Sequence, residues 1–158
     1  MKINIIRIVL FILILTTFIT IFRFSSQDGQ TSSSLSKEVT ENVTKRINKI
    51  QNLEETERKN VLSRIEKIIR KIAHFSLYTI VGILLMSLAC TYEFTEFKRG
   101  GISFLIGLMY ACLDELYQFF ISERSAQITD VMIDSMGVLF GILLVMLIYK
   151  IYTSRKEK

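Results

Sequence analysis

The chain has one histidine, two cysteines and seven glycines among its 158 residues, and each scarcity removes a class of function. Cys90 and Cys112 fall at different depths of predicted helices, so no structural disulfide is expected. With a single histidine, no Cys/His spacing of a zinc module can be written. The glycines form no phosphate-cradling loop, no serine sits in a nucleophile elbow, and no aromatic platform for stacking bases is present. Internal repeats and low-complexity tracts are absent as well.

What the chain holds in excess is hydrocarbon. Half of its residues are hydrophobic and its mean hydropathy is +0.38, too apolar for a soluble domain of this length. The formal charge of +5 would suit nucleic acid. Lys and Arg, however, sit in connections and tails and leave the apolar runs nearly free of charge, which is the distribution of membrane topology. Lipid, and not nucleic acid, is the expected partner.

Crossing about 30 Å of hydrocarbon takes about 20 apolar residues in a helix. Four runs qualify, at 3–24, 72–92, 102–121 and 131–149. The first is free of charge from Ile8 to Phe22 and resembles a signal peptide, but it exits through Phe22-Arg23-Phe24-Ser25 without a small-residue cleavage site, so an uncleaved anchor is expected. The polar stretch between the first two runs is periodic. Leu35, Val39, Val43, Ile47 and Ile50 recur at helical spacing, as do Leu62, Ile65, Ile69 and Ile72, which predicts two amphipathic helices joined near Asn52 to Thr56 within an extramembrane segment of about 32–70. Such a segment would cap the bundle or lie on anionic headgroups. The remaining connections, Glu93 to Gly101 with its Gly100-Gly101 break and Ser122 to Asp130, are short. The expected fold class is all-α: one polytopic domain over 1–158, a four-transmembrane-helix bundle with a long amphipathic helical connection between helices 1 and 2.

Basic residues flank the first run (Lys2, Arg7), fill the second connection (Lys98, Arg99) and end the chain (Lys150, Arg155, Lys156, Lys158), so the positive-inside rule places both termini in the cytoplasm. The long connection is basic too, but long segments cross with less regard to charge.

Ionisable residues inside a bilayer cost a few kcal/mol each and ordinarily face a bundle interior. Threading the four runs antiparallel carries such residues to one side. Ser25, Ser26 and Gln27 close the first run, Arg70, Lys71 and His74 open the second, Asp114, Glu115 and Gln118 end the third, and Arg124, Asp130 and Asp134 lead into the fourth. Residues four apart share a helical face, so Arg70, His74 and Tyr78 form one ladder, Asp114 and Gln118 another, and Asp130 and Asp134 a third. Glu115 lies about 100° round from Asp114 and would look into a different gap. Candidate acid/base residues are therefore His74, Asp114, Glu115 and Asp134; candidate contacts to a ligand are Ser26, Gln27, Arg70, Lys71, Tyr78, Gln118, Arg124 and Asp130.

These residue types can do several things. Carboxylates in unlike surroundings divide acid and base roles, a lone imidazole carries protons near neutrality, and arginine grips phosphate or carboxylate with two donors. His74 is equally a candidate hydrogen-bonded packing residue, and Asp130 a helix cap beside Thr129. Asp114, Glu115, Asp130 and Asp134 are hard oxygen ligands, but their spacing carries no metal signature, so neither metal nor cofactor is expected. Gly137 and Gly141, with Gly82 and Gly107, point to close helix crossings. Phe22, Phe24, Tyr92, Phe94, Phe119 and Phe120 look like interfacial belts.

The blocks Ser25-Ser26-Gln27, Arg70-Lys71-Ile72-Ala73-His74-Phe75 with Tyr78, Tyr110 with Asp114-Glu115 and Gln118-Phe119, and Arg124, Asp130, Asp134 and Gly137 occur in an order that resembles the VanZ-like family. The resemblance covers nearly the whole chain. It implies a bacterial cell-membrane protein, and the family's named member is associated with low-level resistance to the glycopeptide teicoplanin. The long charged first connection departs from the pattern, as does Ile121-Ser122-Glu123-Arg124, which lacks Pro or Gly before the arginine. The expected function is an envelope protein whose outer-side polar cluster binds or modifies an anionic, lipid-linked or cell-wall substrate. A small proton- or ion-coupled transporter and a non-catalytic membrane adaptor are the alternatives; the aliphatic inner halves of the runs disfavour the transporter.

Overall fold

The structure, a computed structural model, describes residues 2–26, 40, 42, 44, 54–121 and 127–156. Among them every regular element is a helix. Helix α1 runs over Lys2–Ser25, α2 over Glu55–Ala89, α3 over Glu96–Gln118 and α4 over Ile128–Lys156, and all four are long and apolar enough to cross a membrane.

Contacts between helix ends show the alternation of direction. At one end Arg7, near the start of α1, donates through Nε to the Thr91 hydroxyl just past α2, at 3.1 Å. At the other end Gln118, closing α3, donates to the Ser25 hydroxyl, closing α1, at 3.4 Å. Successive spans therefore run in opposite senses.

Helix α2 carries the downstream part of the long connection. Its 35 residues make about 50 Å of helix, well beyond the hydrocarbon thickness, so its first turns project past the bilayer. Residues 55–71 are helical and continue into the span without a break. Nothing between Glu66 and His74 can stop a helix, and the Glu66–Arg70 pair at i,i+4, with Arg70 Nη2 3.6 Å from Glu66 Oε1, bridges the join. Leu62, Ile65 and Ile69 form the half-buried stripe expected of them, whereas Ile72 is exposed on the lipid-facing side. The upstream stripe from Leu35 to Ile50 lies outside the described residues.

Two further boundaries shift. The Gly100-Gly101 pair sits inside α3, because Thr95 takes the cap position, its hydroxyl accepting from the Lys98 amide, and starts the helix at Glu96. Helix α4 begins at Ile128, so Asp130 lies in the first turn, where a carboxylate suits the helix dipole, and is not its cap.

Packing follows membrane rules. Helix α1 buries one narrow stripe, Ile14, Ile21 and Ser25, while Ile5, Phe11, Ile12 and Ile19 face outward. Helix α3 reverses the soluble pattern. Its buried residues, Ser103, Gly107, Ala111, Asp114, Glu115 and Gln118, are all small or polar, and Leu105, Met109, Leu113 and Leu116 are exposed. Lipid is as apolar as leucine, so an interior position is gained by close approach and polar contact and not by hydrophobicity. The most intimate pair is α2 with α4. A Cβ at Gly82 would overlap the Val138 carbonyl, one at Gly141 the Thr79 carbonyl, and one at Gly137 would lie 2.5 Å from the Phe75 carbonyl oxygen. Glycine is required at this seam because backbone meets backbone. Gly107 admits Val138 from α3's side in the same way.

Candidate functional site

The last two turns of α3 supply the first wall of the polar cluster. Asp114, Glu115 and Gln118 are 4%, 5% and 7% exposed, so their polar atoms must find partners within the protein. Gln118 Nε2 donates to Asp114 Oδ2 at 3.0 Å and reaches Ser25 Oγ, which ties α3 to the end of α1. Glu115, offset round the helix, takes a different partner: its Oε1 accepts from the Gln127 backbone N–H at 2.6 Å, holding the chain that leads into α4.

Helix α2 supplies the second wall through its i,i+4 ladder. His74 Nδ1 lies 3.5 Å from Asp134 Oδ1 on α4. One turn deeper, Tyr78 is fully buried and turns its hydroxyl toward Asp114 without reaching hydrogen-bond geometry. One turn shallower, Lys71 Nζ lies 3.3 Å from Asp130 Oδ1, a half-exposed pair at the rim. Arg70 pairs with Glu66 on its own helix.

At the centre, an imidazole nitrogen of His74 and carboxylate oxygens of Asp114 and Asp134 all lie within 4.8 Å of one another. Three different spans contribute one side chain each. Asp134 is 1% exposed and, among the described residues, neither of its oxygens makes a hydrogen bond. Chemically, this is an anionic trio beneath a rim that carries lysine and arginine.

The expected residues thus divide into groups. His74, Tyr78, Asp114, Gln118 and Asp134 come together; Lys71 and Asp130 meet just outside them; Glu115 looks toward the start of α4. Ser26 does not join the cluster, because its hydroxyl bonds back to the Phe22 carbonyl of its own helix at 2.6 Å. Gln27 and Arg124 lie outside the described residues. Ser25, one residue earlier, is the serine that faces inward, and its helical phase with Ile14 and Ile21 was the available signal. Tyr110, part of the third of the sequence blocks, has a structural task of its own. It stacks on Phe18 with ring centroids 3.9 Å apart and donates to the Phe18 carbonyl at 2.6 Å, fastening α3 to α1 beside the cluster.

The remote end of the bundle is different ground. A cleft of about 310 Å³ opens there among Met86, Cys90, Arg99, Leu143 and Tyr149, more than two helical turns from the trio. Both cysteines are free thiols.

No curated protein and no solved structure matches the chain. A family model does, over residues 9–149, which takes in the second and third spans, most of the first and fourth, and every residue of the cluster just described. On that match this multi-pass membrane protein belongs to the VanZ/LLP1 family.

Proposed function

We propose that the protein acts in the bacterial cell envelope, with both termini in the cytoplasm and the polar cluster at the outer membrane face, where it engages the headgroup of a membrane-associated anionic or cell-wall precursor. The observation that carries this reading is the meeting of His74, Asp114 and Asp134 from three spans within 4.8 Å. Burying such groups among apolar helices is expensive, and a bundle held only by packing has no need of them. The rim cations Lys71 and Arg70 exchange their acid partners for the ligand's phosphate or carboxylate, which arginine can take with two donors. Beneath them His74, Asp114 and Asp134 hold and pass a proton, the chemistry that their residue types allow when close together. Glu115 serves the site through the Gln127 amide by fixing where α4 begins. An effect on glycopeptide sensitivity of the teicoplanin type is the expected cellular consequence.

The test is a sensitivity assay in a strain where the wild-type chain changes teicoplanin susceptibility. Asp134→Asn and His74→Gln, expressed and inserted at wild-type levels, are expected to abolish the change. Retention of the full effect by both variants would remove the cluster from the function.

A further inference from the structure

Asp134 poses a problem of charge. It is 1% exposed, lies inside a membrane-spanning helix, and makes no hydrogen bond through either oxygen among the described residues. The one ion-pair partner it has among the described residues is His74, at 3.5 Å. A buried carboxylate ordinarily collects two or three donors, and an unsatisfied one costs the full desolvation of a charged group. Lys71, the nearest ammonium on α2, is already committed to Asp130. Asp114 brings a second carboxylate to the same spot. A divalent cation meets both carboxylates and takes the neutral imidazole as a third ligand.

We propose that His74, Asp114 and Asp134 hold one divalent transition-metal cation, with zinc as its representative. The inference rests on the reading that this cluster is the functional site. The donor set fits the class: one imidazole nitrogen with two carboxylate oxygens suits zinc and its first-row neighbours better than calcium or magnesium, which favour all-oxygen shells. Three protein ligands leave a fourth position open, the arrangement of a reactive rather than a structural zinc site. Zinc–ligand distances of about 2.0–2.2 Å place ligand atoms roughly 3.5 Å apart in a tetrahedron. The His74–Asp134 separation of 3.5 Å meets that already. The trio as a whole, spread over as much as 4.8 Å, closes by about an ångström through side-chain rotation on metal loading. Two neighbouring groups face the position without entering it. The fully buried Tyr78 hydroxyl, which makes no hydrogen bond, lies beside Asp114, and Gln118 holds Asp114 Oδ2 as an outer partner that orients a ligating carboxylate. The metal would polarise a phosphoryl or carbonyl oxygen of the bound headgroup, or a water, at the open position.

The experiment uses the full chain purified in detergent, stripped with chelator and titrated with zinc alone, bound metal being read by calorimetry and by elemental analysis after gel filtration. One zinc per chain is expected, with affinity at least about tenfold weaker in Asp134→Asn and His74→Gln, a loss no smaller than that for outer-shell partners. Glu93→Gln, an exposed carboxylate just past α2 at the remote end of the bundle, should bind as wild type. Two measurements on the unmutated chain guard against variants that fail to fold: zinc should raise its thermal midpoint relative to chelator, and cobalt should give visible bands of a nitrogen- and oxygen-ligated site. A wild-type chain without stoichiometric zinc, or zinc held equally by Asp134→Asn, overturns the site even where the glycopeptide phenotype persists. Zinc bound by wild type and lost in both ligand variants supports it whatever the sensitivity assay returns.

Discussion

The two ends of the bundle use polar side chains in opposite ways. At the end where α1 starts and α2 finishes, cations settle on neutral partners: Arg7 bonds to the Thr91 hydroxyl and carbonyl while its guanidinium lies 4.0 Å above the Tyr92 ring, and Arg99, whose Nε makes no hydrogen bond among the described residues, donates through Nη2 to the Tyr92 carbonyl at 3.0 Å. Each of these contacts finishes a helix end or a turn, where free carbonyls need donors. At the other end, buried carboxylates from α3 and α4 face an imidazole from α2, and Asp134 is left without a hydrogen bond. Stability alone would select the first arrangement and eliminate the second. The contrast teaches that polar groups in a bilayer are informative less by their presence than by whether the fold satisfies them.

The sharpest way to break the contrast is at the seam that both ends share. Gly141→Leu sets a side chain against the Thr79 carbonyl of α2, and overpacking against backbone costs about 3 kcal/mol or more, so well-folded protein should be lost in detergent by size-exclusion chromatography. Arg7→Ala removes charged hydrogen bonds at the end remote from the trio and should lower stability by about 2 kcal/mol in denaturant titration, with the proposed glycopeptide effect of the remaining folded protein intact. Glu115→Gln weakens the bond from the Gln127 amide and should cost about 1 kcal/mol with partial loss of function. Asp134→Asn inverts the pattern: metal-free protein should keep its stability within about 1 kcal/mol, or gain, because a buried carboxylate whose oxygens make no hydrogen bond among the described residues has gone and Asp114 still faces His74, while the proposed sensitivity effect disappears. If Asp134→Asn destabilises as much as Arg7→Ala, the two ends are alike and the trio is a structural network. Ser103→Ala, deep in α3 and also without a hydrogen bond, is the smallest change and should stay within about 0.5 kcal/mol with function retained.

Much of this architecture is legible in the residues. Four apolar runs in a chain this size leave few choices, and antiparallel alternation alone brings Ser25, His74, Asp114 and Asp134 to a common level. Helical phase separates Asp114 from Glu115, and the structure gives them different partners, Gln118 and Gln127. Other features are not readable for identifiable reasons. The union of residues 55–71 with the second span is hidden because a change from polar to apolar composition marks a change of solvent, not the end of a helix. Gly100-Gly101 reads as a break until the Thr95 cap is seen to outweigh it, an interior glycine costing only about 1 kcal/mol. Ser25 and Ser26 differ only by the phase of α1, which a uniformly apolar helix conceals. The convergence of His74, Asp114 and Asp134 to within 4.8 Å depends on rotations and crossings that sequence spacing does not encode, and for that reason the acids carry no metal signature in one dimension.

The glycine seam has one more consequence. With main chain against main chain at Gly82, Gly137 and Gly141, α2 and α4 behave as a single rigid plank, and the positions of His74 and Asp134 relative to each other are set by it. Room for a bulkier guest can come only from the two helices that lean on that plank through side chains. Chains of this architecture that handle different headgroups should therefore differ along α1 and α3, around Phe18, Ser25, Tyr110 and Gln118, and keep the plank unaltered.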